Sequence, residues 1–568
     1  MPLDNLHTEQ TELNKVSTDW LLRLLAGLYG KPTDKIIAAR PQDFDPEPLI
    51  LLLWTQQWPR LRRVFRFCTL AAADRSGEVG AFDLQLLPVK DRAARGRFSE
   101  AVEAERVRLE PVEWLDYALD DIISPKPDGL RDFLRKVGGD VPSGRESFRP
   151  LCRLYGLLND LTHTPAGLEN AIDLLEGPLA SIQAKSARSL IVDKALEYPN
   201  LLKGNVLAFL VRHLGLLELN SRPDRADIVG PALWGEDPGA ILLMLREKDD
   251  AHVLAERALH ALSASDLISG LRLANTPPTD ALQYRPDLVE DTSLWSLEGL
   301  STESALDAVD APTVRRSVAL AAMVESTRTG LADEAVRRFG SAELLPIITD
   351  RIDQLGAETA SGELLRWLRK ASADGSALAK DLGSDRARAR TTLVAIARAT
   401  APDLVPNEYG EDPWITAIQQ AKGLASQQGG TYLASYLLSR ALGYRSRSQA
   451  ELAMAAFDTV YDAAARSHIS DEAWRLLDSR LPTSYFWFEW DRCKRLRAAI
   501  TGLFVDRNLA PFMFGCVTAS DNLFLNLLEI AGRDSRGRQY LRRVAQALRD
   551  TDQAKFSARI QALDEITN

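Results

Sequence analysis

Histidine, cysteine and methionine are scarce in this chain: six, four and five among 568 residues. The cysteines, Cys68, Cys152, Cys493 and Cys516, lie far apart and form no CxxC pair. That argues against a disulfide framework and fits reduced thiols in a cytosol. The histidines are His7, His163, His213, His252, His260 and His468. None stands in HExxH, and no Cys/His group has zinc-finger spacing, so no metal is expected. His252 and His260 can share a helix face, but two ligands do not make a site.

Long apolar runs are also missing. The stretch LILLLW at 49–54 is far short of the roughly 20 residues a membrane span needs. The opening MPLDNLHTEQTELNK has no apolar core of the signal-peptide type. A cytoplasmic chain without membrane insertion is the expectation. Nor is there an excess of positive charge: the net charge is −10 and the pI about 5.4. A protein coated all over with nucleic acid needs the opposite sign, although a local basic patch is compatible with it.

Catalytic motifs are wanting as well. No GxSxG elbow occurs. Gly30-Lys31 is followed by Pro32 and lacks the glycine spacing that frees backbone amides to cradle phosphates. Residues 139–147, GDVPSGRES, imitate a phosphate loop, but Arg145 replaces the lysine and Glu146 stands where a hydroxyl belongs. An ordinary turn explains that stretch. The expectation is a chain that is not an enzyme, with no cofactor.

What is present is ordinary globular composition, 45% hydrophobic and 26% charged, in a chain too long for one core. Apolar spacing of three and four predicts helices at 17–30, with Ser17 as cap, and at 48–62. Aromatic-rich runs at 64–73 and 81–89, around the turn-like Asp74-Arg75-Ser76-Gly77, predict two strands. Helical spacing then dominates at 98–110, 112–123, 149–161, 168–174, 190–217 and 240–271, broken by Pro125-Lys126-Pro127, Gly138-Gly139, Arg222-Pro223-Asp224 and Pro277-Pro278. The predicted fold class is mainly α: a multi-domain irregular helical array with a small α/β element near the N-terminus. Four domains are expected: 1–135, helical with short strands at about 63–90; 136–275, helical; 300–400, a helical array; and 414–568, helical. No strict repeat period emerges.

Two arginine–aromatic segments stand out. Residues 60–97 hold nine basic side chains (Arg60, Arg62, Arg63, Arg66, Arg75, Lys90, Arg92, Arg95, Arg97) against four acids, an excess of five, with Phe65, Phe67 and Phe82 among them and Trp58 just before. Residues 98–132 hold ten acids against four bases, so the two stretches are expected to meet and neutralise each other within one domain. If exposed instead, Arg60, Arg62, Arg63, Arg66, Arg92, Arg95 and Arg97 form a partner or nucleic-acid surface. The second segment is TSYFWFEWDRCKRLR at 483–497. Trp487, Trp490, Cys493, Leu496, Ile500 and Phe504 follow helical spacing, with Asp491 and Arg495 read as an i,i+4 pair. Trp487, Trp490, Arg492, Arg495 and Arg497 are the candidate protein-binding residues, because interfaces favour aromatics and arginine. Thr518 and Asp521 look like a capping box for the following helix.

The run QWPRLRRVFRFCTLAAADRS, followed by AFDLQLLP, resembles the middle region of the GTPase-associated protein 1 family, bacterial proteins encoded beside GTPases in conflict systems. The residues that carry the resemblance are Trp58, Pro59, Arg60, Phe65, Phe67, Cys68, Thr69, Phe82, Asp83, Leu84, Gln85 and Pro88. Residues 490–497, WDRCKRLR, are similar to the C-terminal helical modules of such systems. Family members carry a further N-terminal domain, here expected to be absent or supplied by another chain. The resemblance implies a non-enzymatic adaptor, scaffold or sensor of an antiphage-type system, whose partner is an NTPase or effector encoded in the same operon. The alternative reading is a DNA-binding or DNA-sensing helical protein using 60–97.

Overall fold

A computed structural model of the chain describes residues 16–77, 80–88, 96–142, 144–162, 166–177, 179, 184–274, 277–406, 410–443, 448–482, 491–551 and 554–567. These residues form thirty α-helices and one four-stranded sheet. The chain divides into two compact units, 1–276 and 277–568.

The first unit begins with α1 (Thr18–Gly30), whose Leu21, Leu24, Leu25 and Leu28 are buried. Ser17 caps it, its Oγ accepting from Trp20 N at 3.3 Å, as the sequence predicts. Strand β1 (Lys35–Ala39) follows, then α2 (Pro46–Gln56) and α3 (Pro59–Val64). The single helix expected over 48–62 is therefore two. Pro59 drives its predecessor out of the helical region, leaving Trp58 extended with φ −75° and ψ 159°. Trp58 is fully buried and donates from Nε1 to Pro142 O at 3.2 Å. It packs so tightly beneath Gly138 that a Cβ there would sit 2.4 Å from its side chain.

β2 (Phe67–Cys68) and β3 (Leu84–Leu87) occupy the two predicted strand regions, and β4 (Ala101–Glu103) completes a sheet of order β2-β3-β1-β4. All its pairings are parallel, with Ile36 opposite Leu84 and Phe67 also opposite Leu84. Parallel sheets are covered on both faces, and Ile36, Ile37, Leu84, Leu86 and Leu87 are buried accordingly. The helix expected over 98–110 is not formed: Ala101, Val102 and Glu103 pair with β1, and a 3-10 turn (Ala104–Arg106) follows. Helical propensity in SEAVEAER gives way to the open edge of β1.

The remaining helices of this unit are α4 (Glu113–Ile123), α5 (Leu130–Val137), α6 (Phe148–Asn159), α7 (Ala166–Glu176), α8 (Lys185–Glu197), α9 (Gly204–Arg212), α10 (Asp224–Glu236), α11 (Pro238–Met244), α12 (Asp250–Ala261) and α13 (Ala264–Leu273). The long stretches expected at 190–217 and 240–271 are interrupted. Pro199 ends α8, while Asp249 and Ser263 start new helices by accepting amides from Ala251 and Asp266.

The second unit contains α14 (Thr279–Tyr284), α15 (Thr302–Val309), α16 (Arg316–Val324), α17 (Leu331–Phe339), α18 (Ser341–Leu355), α19 (Gly362–Ala371), α20 (Gly375–Leu382), α21 (Arg390–Ala399), α22 (Pro413–Gln420), α23 (Gln427–Leu442), α24 (Gln449–Ala465), α25 (Asp471–Asp478), α26 (Arg492–Arg507), α27 (Pro511–Gly515), α28 (Asp521–Ala531), α29 (Ser535–Arg549) and α30 (Ser557–Thr567). Many of these helices pack on the one two places ahead: α17 on α19, α19 on α21 and α21 on α23, α18 on α20 and α20 on α22, then α24 on α26, α26 on α28 and α28 on α30. This is a stacked helical array. Serine and aspartate start its members, as at Ser361, Asp374, Ser426, Ser470 and Asp534, and Gly340 and Gly356, with φ 82° and 83°, bound α18.

Surface ion pairs connect successive turns of the array, among them Arg338 with Asp307 and Asp310, and Arg316 with Glu343. Deeper links matter more. Arg440 of α23 is buried against Asp412 at 2.8 Å and donates to Pro402 O and Val405 O, which fixes the connection before α22. Asp412→Ala leaves that guanidinium uncompensated and is expected to cost about 3–5 kcal/mol, whereas Arg338→Ala at the surface costs under about 1 kcal/mol. Urea unfolding followed by circular dichroism measures both, and equal losses would contradict the assignment.

Candidate interaction surfaces

The arginines of the N-terminal segment separate by position. Arg60 and Arg63 are exposed on α3. Arg62 is half-buried: Nε donates to Gln57 O at 2.6 Å, Nη2 donates to Thr55 O, and the guanidinium lies 5.3 Å from the Trp54 ring centroid. Burial lowers its pKa, and the nearby cations Arg131 and Arg135 lower it further. Arg66 is exposed, its amide donates to Asp83 Oδ2 at 2.9 Å, and its guanidinium covers Gly80. Arg97 is exposed and donates to Ala72 O at 3.2 Å, beside the same stretch of chain. Arg92 and Arg95 lie outside the described residues.

The acids of 98–132 find cations close by in the chain. Asp121 holds Arg131 at 3.2 Å, Asp132 holds Lys136 at 2.7 Å, and Glu103 holds Arg106 at 3.0 Å. Within the basic segment, Asp74 pairs with Lys35 and Asp83 with Arg145.

Large apolar side chains stand among the arginines. Trp54, Val64, Phe67 and Leu70 are 36%, 47%, 39% and 54% exposed. Phe67 belongs to β2, the edge strand of the sheet, and its ring lies 6.0 Å from that of Phe65. Cys68 is half-buried, with its thiol against Leu70 O at 3.3 Å. Several residues that carry the family resemblance serve the fold: Trp58 is core, Leu84 and Gln85 begin β3, and Asp83 links the backbone of Arg66 to Arg145.

The loop behind this edge is held by Asp74. It accepts from Gln85 Nε2 at 2.9 Å, from Ser76 N at 2.9 Å and from Lys35 Nζ at 3.1 Å. Burial pushes the carboxyl up, but these hydrogen bonds outweigh it and hold the group well below the usual carboxylate range. The phosphate-loop imitation at 139–147 is structural too: Arg145 is buried and donates to Leu28 O at 2.9 Å and Asp34 O at 2.7 Å.

In the C-terminal segment, Trp487 and Trp490 lie outside the described residues. Leu496, Ile500 and Phe504 form the buried stripe of α26. The aromatic partner of the arginines is Trp474: Arg492 lies 4.8 Å and Arg495 5.6 Å from its centroid. Arg495 is buried and pairs with Asp478 at 2.7 Å rather than with Asp491, which instead caps α26 by accepting from Lys494 N at 2.9 Å. Arg497 is half-buried on the same helix. Ser520, not Thr518, caps α28, and Asp521 holds Arg559 at 2.7 Å.

A cavity of about 350 Å³ opens between α19, α21 and the start of α23, with Leu365, Leu368 and Val394 as its floor and Arg369 and Arg398 at its rim. No local signal announces it, because its walls come from helices about thirty residues apart in the chain. Among the described residues no cluster of His, Cys, Asp or Glu could hold a metal ion, and no helix is long and apolar enough to cross a membrane. No protein-family model, curated protein or solved structure matches the chain.

The Asp74 network makes a pH-dependent contribution. A carboxyl with a depressed folded pKa stabilises above its unfolded value of about 3.9, and that contribution is lost as pH falls toward the folded value. Asp74→Asn is therefore expected to lower the urea midpoint at pH 6, with the deficit shrinking as the pH approaches 3. A deficit constant with pH would contradict it.

Proposed function

We propose that the chain is a non-enzymatic adaptor or scaffold that binds a protein partner through the β2 edge and α3 of the first unit. The observation that carries this reading is the mixture of Val64, Phe67 and Leu70 with Arg60, Arg63 and Arg66 on one exposed stretch. Clustered apolar side chains ringed by arginine suit a protein surface bearing acids and aliphatic groups. An open strand edge also offers main-chain hydrogen bonds to an added strand. The setting proposed with it, a bacterial antiphage-type defence system with an NTPase or effector as partner, rests on the resemblance of 58–88 and on the C-terminal run 490–497.

The second reading is DNA binding, favoured by the exposure of each of Arg60, Arg63, Arg66 and Arg97. Phosphate contacts gain nothing from three exposed apolar side chains, so this reading stands second.

Co-purification of the full chain with products of neighbouring genes separates the two. The expected outcome is a complex that Phe67→Asp with Leu70→Asp weakens at least tenfold. A complex unaffected by both substitutions removes this edge from the account. Tight duplex binding that falls steeply with salt and is abolished by Arg60→Glu with Arg63→Glu would replace it with the DNA reading.

A further inference from the structure

The cavity of about 350 Å³ in the second unit is walled by a row of packed helices: α19 packs on α21, α21 on α23 and α23 on α25. Its floor is apolar, with Leu368, Val394 and Ala395 buried and Leu365 half-buried. A smaller cavity of about 270 Å³, between α26 and α28, is of another kind. Arg495, Arg497, Asn526 and Arg533 are among its lining residues, and Arg495 is already held by Asp478.

Four exposed charged side chains surround the apolar floor of the larger cavity. They are Arg369 of α19, Arg398 of α21, Glu358 from the connection entering α19, and Glu472 from the first turn of α25. Their neighbours in the array find partners: Arg366 and Lys370, on the same helix as Arg369, are both held by Asp333. Among the described residues none of the four forms an ion pair or a side-chain hydrogen bond. Arg398 instead rests over the Tyr432 ring, 5.3 Å from its centroid. An apolar floor with a few polar groups converging on it is the usual composition of a small-ligand site.

We infer that this cavity binds a zwitterion with an apolar body, the chemistry of an apolar α-amino acid. Two positive and two negative charges balance, so a ligand of either net sign gains no overall attraction. A purely apolar ligand fills the floor but strips water from charged groups without replacing it, which is costly. A zwitterion offers its carboxylate to the guanidinium groups of Arg369 and Arg398 and its ammonium to a glutamate, and charge-assisted hydrogen bonds are the strong ones. Its side chain then lies on Leu365, Leu368 and Val394. The volume stands at the lower end of the range of about 300–1,000 Å³ for small-ligand sites, which suits a single amino acid or a dipeptide. This site belongs to the second unit, so it and the β2 edge stand or fall separately.

The test titrates the full chain by calorimetry, at neutral pH and fixed ionic strength. The probes are L-leucine, L-phenylalanine, L-leucyl-L-leucine, glycine, 4-methylpentanoate (leucine without its amine) and 3-methylbutylamine (leucine without its carboxylate). Leucine or phenylalanine is expected to bind, with glycine, the acid and the amine each at least tenfold weaker. Arg369→Ala with Arg398→Ala should weaken leucine binding at least tenfold, and so should Glu358→Gln with Glu472→Gln. All four positions are exposed, so circular dichroism of these variants should match the parent. Ala425→Trp, at a half-buried lining position, fills the cavity and should abolish binding. Tenfold tighter binding of the dipeptide identifies short peptides as the source of the ligand, and equal or weaker binding identifies the free amino acid. Absence of binding by leucine, phenylalanine and the dipeptide alike overturns the inference. So does 4-methylpentanoate or 3-methylbutylamine binding as tightly as leucine, or leucine binding indifferent to both pairs of rim substitutions.

Discussion

A buried guanidinium held by one aspartate and by main-chain carbonyls is the interaction on which most of this fold depends. Six arginines are buried among the described residues, Arg145, Arg225, Arg388, Arg440, Arg495 and Arg559, and no lysine is. Their aspartates are Asp83, Asp193, Asp381, Asp412, Asp478 and Asp521. Each also donates to carbonyls at a helix end or in the connection that follows: Leu28 for Arg145, Leu216 and Leu217 for Arg225, Asp381 for Arg388, Pro402 and Val405 for Arg440, Asp478 for Arg495, Gly515 and Ala519 for Arg559. Helix ends leave carbonyls without partners, and a stacked array of short helices has many such ends. Arginine suits the task because it stays charged when buried and presents its donors as a rigid fork.

The same constraint explains why clustered arginines in this sequence do not all make one surface. Arg495 and Arg497 are two residues apart on α26 and line the same cavity, yet the first is buried and bound to Asp478 while the second is only half-buried and forms no ion pair among the described residues. Arg62 and Arg63 are adjacent, yet the first is turned into main-chain carbonyls beneath Trp54 while the second is exposed. Helical rotation of about 100° per residue decides which role a neighbour takes. The surfaces that remain for partners are what this structural demand leaves over.

Much of the fold was legible from residue patterns. Amphipathic spacing and Ser/Asp caps located most helices, and the aromatic runs located β2 and β3. What was missed depended on distant pairing. The run KIIAA of β1 lies between turn residues but is too short to stand out, and AVE at 101–103 carries helical propensity that the β1 edge overrides. The arginine segments were visible as composition, but Trp474, on which Arg492 and Arg495 stack, lies outside the segment that was singled out. The cavity between α26 and α28 had no signal, because Asn526 and Arg533 become neighbours of Arg497 only through packing.

Hydrogen exchange of the full chain, comparing the parent with Arg440→Lys, tests the central claim most directly. Lysine keeps the charge near Asp412 but cannot also reach Pro402 O and Val405 O as the guanidinium does. The account predicts faster exchange across 402–406, α22 and α23, with no change for Arg369→Lys at the exposed rim of the larger cavity. Unchanged protection in Arg440→Lys would show that charge alone suffices and would contradict the account.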